Sequence, residues 1–86
     1  MFKVYILYSA WRDKYYIGST ADAIEERVRR HNSKHNGFTG SANDWVLSYY
    51  ETHLSKSAAL KREREIKNWK SRTMLKKLID SGHPDS

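Results

Sequence analysis

Two short runs of alternating residues at the start of the chain restrict its fold more than any other feature. Residues 2–9 read FKVYILYS and residues 14–19 read KYYIGS. Such alternation is typical of β-strands, in which successive side chains point to opposite faces of the sheet. Because only residues 10–13 separate the two runs, we predict an antiparallel hairpin. In its second strand we expect Tyr16 to share a face with Gly18 and not with Ile17.

The first helix is predicted to follow the hairpin directly. Asp22 is a residue type favoured at an N-cap, and Glu25 lies three residues later, which is the spacing of a capping box. We expect this helix to continue to about His35, because Asn36 and Gly37 favour its end there.

The second half of the chain predicts one strand and two helices. After a polar loop over residues 37–44, residues 45–51 read WVLSYYE and form the third predicted strand. Either Ser55 or Ser57 is expected to cap a second helix, which ends near Lys70.

A third helix completes the predicted fold. Ser71 is expected to cap it, and Gly82 and Pro84 to end it. The order ββαβαα predicts an α+β fold, with a small, three-stranded and mainly antiparallel sheet flanked by about three helices. At 86 residues the chain is long enough for one domain. We assign that domain to residues 1–82 and expect residues 83–86 to fray.

The charge of the chain favours an anionic partner. Its formal charge is +6, from 16 lysines and arginines against 10 acidic residues. This excess suits a nucleic acid, an acidic protein or a membrane surface, although an ordinary solvated surface has the same composition. The absence of cysteine excludes disulfides and thiolate metal sites. No apolar run is long enough to cross a bilayer and no segment resembles a signal, so we expect a cytoplasmic protein with no membrane partner.

Three polar side chains fall where helix periodicity predicts apolar ones. On the first helix, Arg27 and His31 lie one turn apart within the apolar arc, and on the second helix Glu63 lies in the middle of the inner arc. A charge turned inward is costly unless it is paired or binds a metal. The pattern therefore has two interpretations: a polar site lined by both helices, or a structural Arg27–Glu63 ion pair with side chains that reach water.

Two tyrosines of the hairpin add to this set. Tyr5 and Tyr16 lie on neighbouring predicted strands and are expected to be close together on the sheet. Tyrosine is also a common strand residue, so the pair alone does not distinguish a site from ordinary packing.

Four short segments occur in the order and at the spacing of a known family. They are KVY at residues 3–5, YIG at residues 16–18, ERVRRH with Arg27 and His31, and AALKREREIK with Glu63. In this arrangement the chain resembles the GIY-YIG nuclease superfamily. It is most similar to short stand-alone bacterial members, which resemble the nuclease domain at the start of the excision-repair protein UvrC.

The resemblance extends from about residue 2 to residue 79 and departs from the family pattern at Lys3, which replaces the first glycine. It implies a three-stranded antiparallel sheet flanked by helices, with an active site on one side of the sheet. Gly18 would be a structural residue of the motif. The implied biological context includes DNA repair, and restriction, mobile-element and degradative roles stay open beside it.

The resemblance also implies roles for the site residues. Glu63 would hold one divalent metal ion, Mg²⁺ or Mn²⁺, which binds phosphate oxygen and water as its remaining ligands. Tyr5 would take the proton of the attacking water as a base or relay, and Tyr16 and His31 would assist. Arg27 would hold the scissile phosphate. A free tyrosine has a pKa near 10, and we expect a neighbouring cation to lower it; which tyrosine is the base stays open.

The predicted function is a metal-dependent endonuclease that acts on nucleic acid, with DNA favoured over RNA. The alternatives are a non-catalytic nucleic-acid-binding module that retains the fold, and a protein-interaction domain with no affinity for nucleic acid. Additional phosphate contacts are expected from cationic residues outside the motif, each of which also suits a solvated basic face. These residues are Arg30, Lys67, Lys70 and Arg72.

Overall fold

A computed structural model describes residues 1–33 and 42–82 and gives a three-stranded antiparallel sheet with three helices. The order ββαβαα and the α+β class predicted from the sequence are confirmed. The elements are β1 Phe2–Ser9, β2 Lys14–Thr20, α1 Ile24–Asn32, β3 Trp45–His53, α2 Lys56–Trp69 and α3 Arg72–Asp80.

The strand β1 lies in the centre of the sheet, between β2 and β3. The predicted hairpin is present: β1 and β2 pair antiparallel, with Tyr5 opposite Gly18 and Leu7 opposite Tyr16. Asp13 closes the turn with a left-handed backbone, at φ 53°. The third strand continues to His53, two residues beyond the predicted end, because its last residues stay paired with β1 as far as Phe2 opposite His53.

Helices pack against both faces of the sheet, and each face has its own apolar cluster. On one face Tyr5 and Leu7 pack with Ile24 of α1, and Tyr16 joins this cluster from β2. On the other face Val4 packs with two buried residues of α2, and Ile17 and residues of α3 join it. Tyr16 and Ile17 therefore face opposite sides, as the alternation predicts.

The start of α1 differs from the prediction. The helix begins at Ile24, its N-cap is Ala23, and no side chain caps it. The backbone amide of Asp22 donates to the Thr20 hydroxyl at 3.0 Å, so Asp22 belongs to the turn before the helix. The predicted capping box from Asp22 to Glu25 is therefore wrong.

The end of α1 also differs, because Asn32 connects the helix to the sheet. Its side chain accepts from the Trp45 amide at 2.7 Å and donates to the Trp45 carbonyl at 3.0 Å. The helix ends there, and the Ser33 amide bonds to the Arg30 carbonyl. The predicted end at His35 is too late, and the stop signals at residues 36–37 lie outside the described residues, as does most of the predicted polar loop.

The two remaining helices have the predicted caps. Ser55, rather than Ser57, accepts from the Ala58 amide at 3.1 Å to begin α2, and Ser71 accepts from the Met74 amide to begin α3. Between them Lys70 has a left-handed backbone, at φ 48°. The frayed tail predicted over residues 83–86 lies outside the described residues.

A buried carboxylate holds α2 against β3. Glu51 accepts from the Tyr49 hydroxyl at 2.8 Å, from His53 Nε2 at 2.6 Å and from Arg62 Nε at 3.0 Å. Burial raises the pKa of Tyr49 to about 12, and Glu51 adds to that rise. This network fixes α2, and with it Glu63, relative to the sheet. None of the described helices is long and apolar enough to span a membrane.

Candidate active site

Four of the predicted site residues lie together on the face of the sheet that α1 covers. The Tyr5 hydroxyl is 3.1 Å from His31 Nε2. The Tyr16 ring lies 4.6 Å from the His31 ring and 6.4 Å from the Tyr5 ring, measured between centroids. The Arg27 guanidinium acts on the Tyr5 hydroxyl: it lowers the pKa of Tyr5, and Tyr5 raises the pKa of Arg27. The inward positions of Arg27 and His31 follow from their spacing of one helical turn.

Gly18 makes room for the Tyr5 side chain. A Cβ atom at this position would lie 2.7 Å from the Tyr5 hydroxyl oxygen and 2.8 Å from Tyr5 Cζ. It would also lie 3.0 Å from Tyr16 Cε2. Any side chain here would displace one of the two tyrosines, so the glycine of the YIG motif sets their positions.

The ionisation of Tyr5 differs from the expectation. Burial raises its pKa, a hydrogen bond from Arg27 offsets part of that rise, and the charge of Glu63 adds to it. The expected lowering by Arg27 is present, but burial outweighs it because Tyr5 is fully buried. The same hydrogen bond raises the pKa of Arg27. Since arginine only donates, the Tyr5 oxygen accepts from Arg27, and the phenol proton is available to His31.

Arg27 carries a buried donor with no partner. Its Nε atom is buried and has no hydrogen-bond partner. Among residues 1–33 and 42–82, it is the only buried side-chain nitrogen or oxygen without one. Beside it is a cavity of about 360 Å³ lined by Arg27, Arg30, His31 and Ser33. Arg30 is exposed and interacts with Glu26 and, at 3.9 Å, with Asp22. The cavity therefore has one half-buried and one exposed arginine side chain on its walls.

Glu63 extends from α2 to the edge strand β2, which also carries Tyr16 and Gly18. Its Oε1 accepts from the Ser19 hydroxyl at 2.6 Å, and its Oε2 accepts from Lys67 Nζ at 2.7 Å. That all five residues act together in one active site stays a prediction; the charge of Glu63 does act on Tyr5. The structural Arg27–Glu63 ion pair is absent among the described residues, where Glu63 pairs with Lys67 instead.

The donor set at Glu63 suits a hard divalent cation. Its carboxylate is a hard oxygen donor, and only 18% of the side chain is exposed. Within the described residues no group of three histidine, cysteine or acidic side chains converges on one point. Mg²⁺ commonly takes one or two carboxylates and completes its coordination with water and substrate phosphate. The residues present therefore fit such an ion, although it must compete with Lys67 for Oε2.

The remaining cationic candidates surround the α2–α3 junction. Lys67, Lys70 and Arg72 line one cleft of about 380 Å³. Arg72 is bonded to the Asp13 side chain and, at 3.2 Å, to the Asp13 carbonyl. Arg30 lies apart from these three, at the cavity beside Arg27.

Sequence reasoning missed Ser19. It lies on the strand face that packs against α2, and its hydroxyl orients the Glu63 carboxylate. The signal in the sequence was a hydroxyl residue directly after Gly18, on the same strand face as Ile17 and on the opposite face from Gly18. Without the position of α2, nothing in the sequence tells which acid lies opposite that hydroxyl.

The family model of the GIY-YIG catalytic domain matches residues 1–77. The chain belongs to the GIY-YIG family. Membership places it in a nuclease family, which implies binding of nucleic acid. Neither a search of curated proteins nor a search of solved structures finds a match. The two half-motifs of this GIY-YIG domain lie on the neighbouring strands β1 and β2, where Tyr5 of the first pairs with Gly18 of the second.

Proposed function

We propose that the protein is a metal-dependent endonuclease that hydrolyses phosphodiester bonds in DNA. Membership of the GIY-YIG family supports the nuclease class, and the charge of +6 supports an anionic polymer as substrate. The observation that carries the proposal is the buried, unpartnered Nε of Arg27 beside the Tyr5–His31 hydrogen bond. A buried guanidinium donor is satisfied well by a phosphate oxygen.

Arg27 holds the scissile phosphate in this proposal. Its guanidinium lines the cavity of about 360 Å³, and Arg30 extends the cationic wall towards solvent. The guanidinium already interacts with the Tyr5 hydroxyl before substrate arrives. Charge that develops on the phosphate during attack is then offset without reorganisation of the site.

Tyr5 and His31 carry the proton of the attacking water. Burial keeps the Tyr5 phenol protonated at neutral pH, so Tyr5 acts as a relay and not as a phenolate. It accepts a proton from water while its own proton passes to His31 Nε2, 3.1 Å away. The hydroxide attacks phosphorus, and the bond from phosphorus to the leaving oxygen breaks. The leaving oxygen takes a proton from solvent water and departs as a hydroxyl terminus, and His31 returns its proton to solvent. Tyr16 packs on the His31 ring and keeps its orientation.

Glu63 is the residue that would hold Mg²⁺ or Mn²⁺. When bound, the ion supplies Lewis-acid stabilisation of charge on the phosphate. Ser19 donates to one carboxylate oxygen and fixes the plane of the group, as residues behind a metal ligand commonly do.

The test is cleavage of labelled single-stranded, duplex and branched DNA, with matched RNA, in Mg²⁺ or Mn²⁺ and in EDTA. We expect metal-dependent cleavage of DNA by the wild type. Glu63→Gln should abolish cleavage and leave DNA binding. Glu65→Gln is the matched control, since Glu65 is more than half exposed on the same helix and pairs with Arg62. Salt-sensitive binding with no cleavage of any substrate would instead indicate a non-catalytic binding module.

A further inference from the structure

A second cleft lies on the side of the sheet opposite to Tyr5 and Tyr16, where β2 meets the α2–α3 junction. Its volume of about 380 Å³ is within the range of roughly 300–1,000 Å³ typical of small-molecule sites. The apolar part of its lining is formed by Ile17, Ile66 and Leu75, and the cationic part by Lys14, Lys67, Lys70 and Arg72. Apolar surface bordered by cations suits a ligand that combines anionic groups with flat or apolar ones.

Two of these four cations already have partners. Arg72 bonds to Asp13, and its guanidinium lies over the Tyr15 ring at 5.2 Å. Lys67 bonds to Glu63. Across residues 1–33 and 42–82, by contrast, neither Lys14 nor Lys70 forms an ion pair. Their charges therefore leave a positive potential at the mouth of the cleft.

Lys70 occupies a position whose backbone favours glycine. Its φ of 48° and ψ of 34° are left-handed, and helices that end in this conformation usually do so with glycine or asparagine. The backbone turn between α2 and α3 therefore does not require a lysine. The side chain instead places a positive charge on the lining of the cleft.

Lys67 connects this cleft to the acidic residue of the candidate active site. It lines the cleft and also bonds to Glu63 Oε2 at 2.7 Å. A strand whose scissile phosphate is near Glu63 thus has a cationic surface directly beside it. The neighbouring phosphates of that strand would then lie beside Lys14 and Lys70, which line the same cleft as Lys67.

We propose that the cleft binds the part of the substrate strand that flanks the scissile phosphate, with Lys14 and Lys70 in contact with backbone phosphates. Arg72 forms a wall of the cleft and is held by Asp13. The inference rests on the proposed function, because it assigns the cleft to the same nucleic-acid substrate.

The test is the salt dependence of DNA binding in EDTA, where metal-dependent cleavage is stopped. Each lost phosphate contact lowers the slope of log K against log salt by about 0.7–0.9. If the wild type and a variant bind DNA equally at 1 M salt, that change in slope makes the variant bind about five- to eightfold more weakly at 0.1 M salt. We expect this loss for Lys14→Gln and for Lys70→Gln. Lys61→Gln removes the same charge from the exposed surface of α2 and should leave the slope unchanged.

A second variant separates binding from folding. Lys70→Gly relieves the left-handed backbone and should keep or raise the melting temperature while it lowers DNA affinity as Lys70→Gln does. Equal losses for Lys61→Gln and the cleft variants would overturn the inference, since only total charge would then matter. A wild type that binds no DNA would contradict the proposed function itself, which distinguishes the two failures.

Discussion

Gly18→Ala should disrupt the packing of Tyr5 and destabilise the protein. The added Cβ would lie 2.7–3.0 Å from three atoms of Tyr5 and Tyr16. Tyr5 is fully buried and its hydroxyl is bonded to His31, so the ring has no free space to enter. Overpacking of this kind costs about 1–3 kcal/mol, and three such contacts indicate the upper end. Replacing glycine regains about 0.5–1 kcal/mol of chain entropy, which leaves about 2 kcal/mol of net destabilisation.

That loss corresponds to a fall in melting temperature of roughly 8–16 °C for a domain of this size, measured by circular dichroism. Displacement of the Tyr5 hydroxyl should also reduce cleavage by about 100-fold. Tyr5→Phe removes the atom closest to the new Cβ, so the double variant should lose less stability than the two single losses added together. A Gly18→Ala protein that melts within about 2 °C of the wild type would refute the packing argument.

Two further predictions concern the ion pairs of α2. Lys67→Met removes the donor to Glu63 Oε2, so Mn²⁺ should bind about two- to fivefold more tightly, as measured by calorimetric titration. Weaker binding of Mn²⁺ by the variant would mean that Lys67 positions the carboxylate for the metal. Burial raises the pKa of Glu51, but hydrogen bonds from Tyr49, His53 and Arg62 outweigh it and lower the pKa below 4.5. The stability that these bonds contribute is therefore present above that value and is lost as pH falls through the lowered pKa. Urea unfolding should show that the free energy of unfolding declines between roughly pH 5 and pH 3, and that it declines less in Glu51→Gln. An identical decline in both proteins would contradict this role of Glu51.

Local patterns in the sequence determined the elements and the direction of several side chains. The alternation in the first two runs placed Tyr16 and Ile17 on opposite faces, which the structure confirms. The spacing of Arg27 and His31 placed both on the inner side of α1. Ser71 was recognised as a cap because its hydroxyl reaches an amide only three residues away. Each of these follows from backbone geometry over one or two turns or a few strand positions.

Contacts between distant parts of the chain were decided only by the tertiary structure. The end of α1 depends on Asn32, which bonds to Trp45 across a segment with no regular pattern. The partner of Glu63 is Ser19 and not Arg27, because α2 lies on the other face of the sheet. The rise in the pKa of Tyr5 depends on how completely its neighbours exclude water. Periodicity specifies the face on which a side chain lies, but partner choice and burial depend on distances between residues far apart in sequence, which local geometry does not determine.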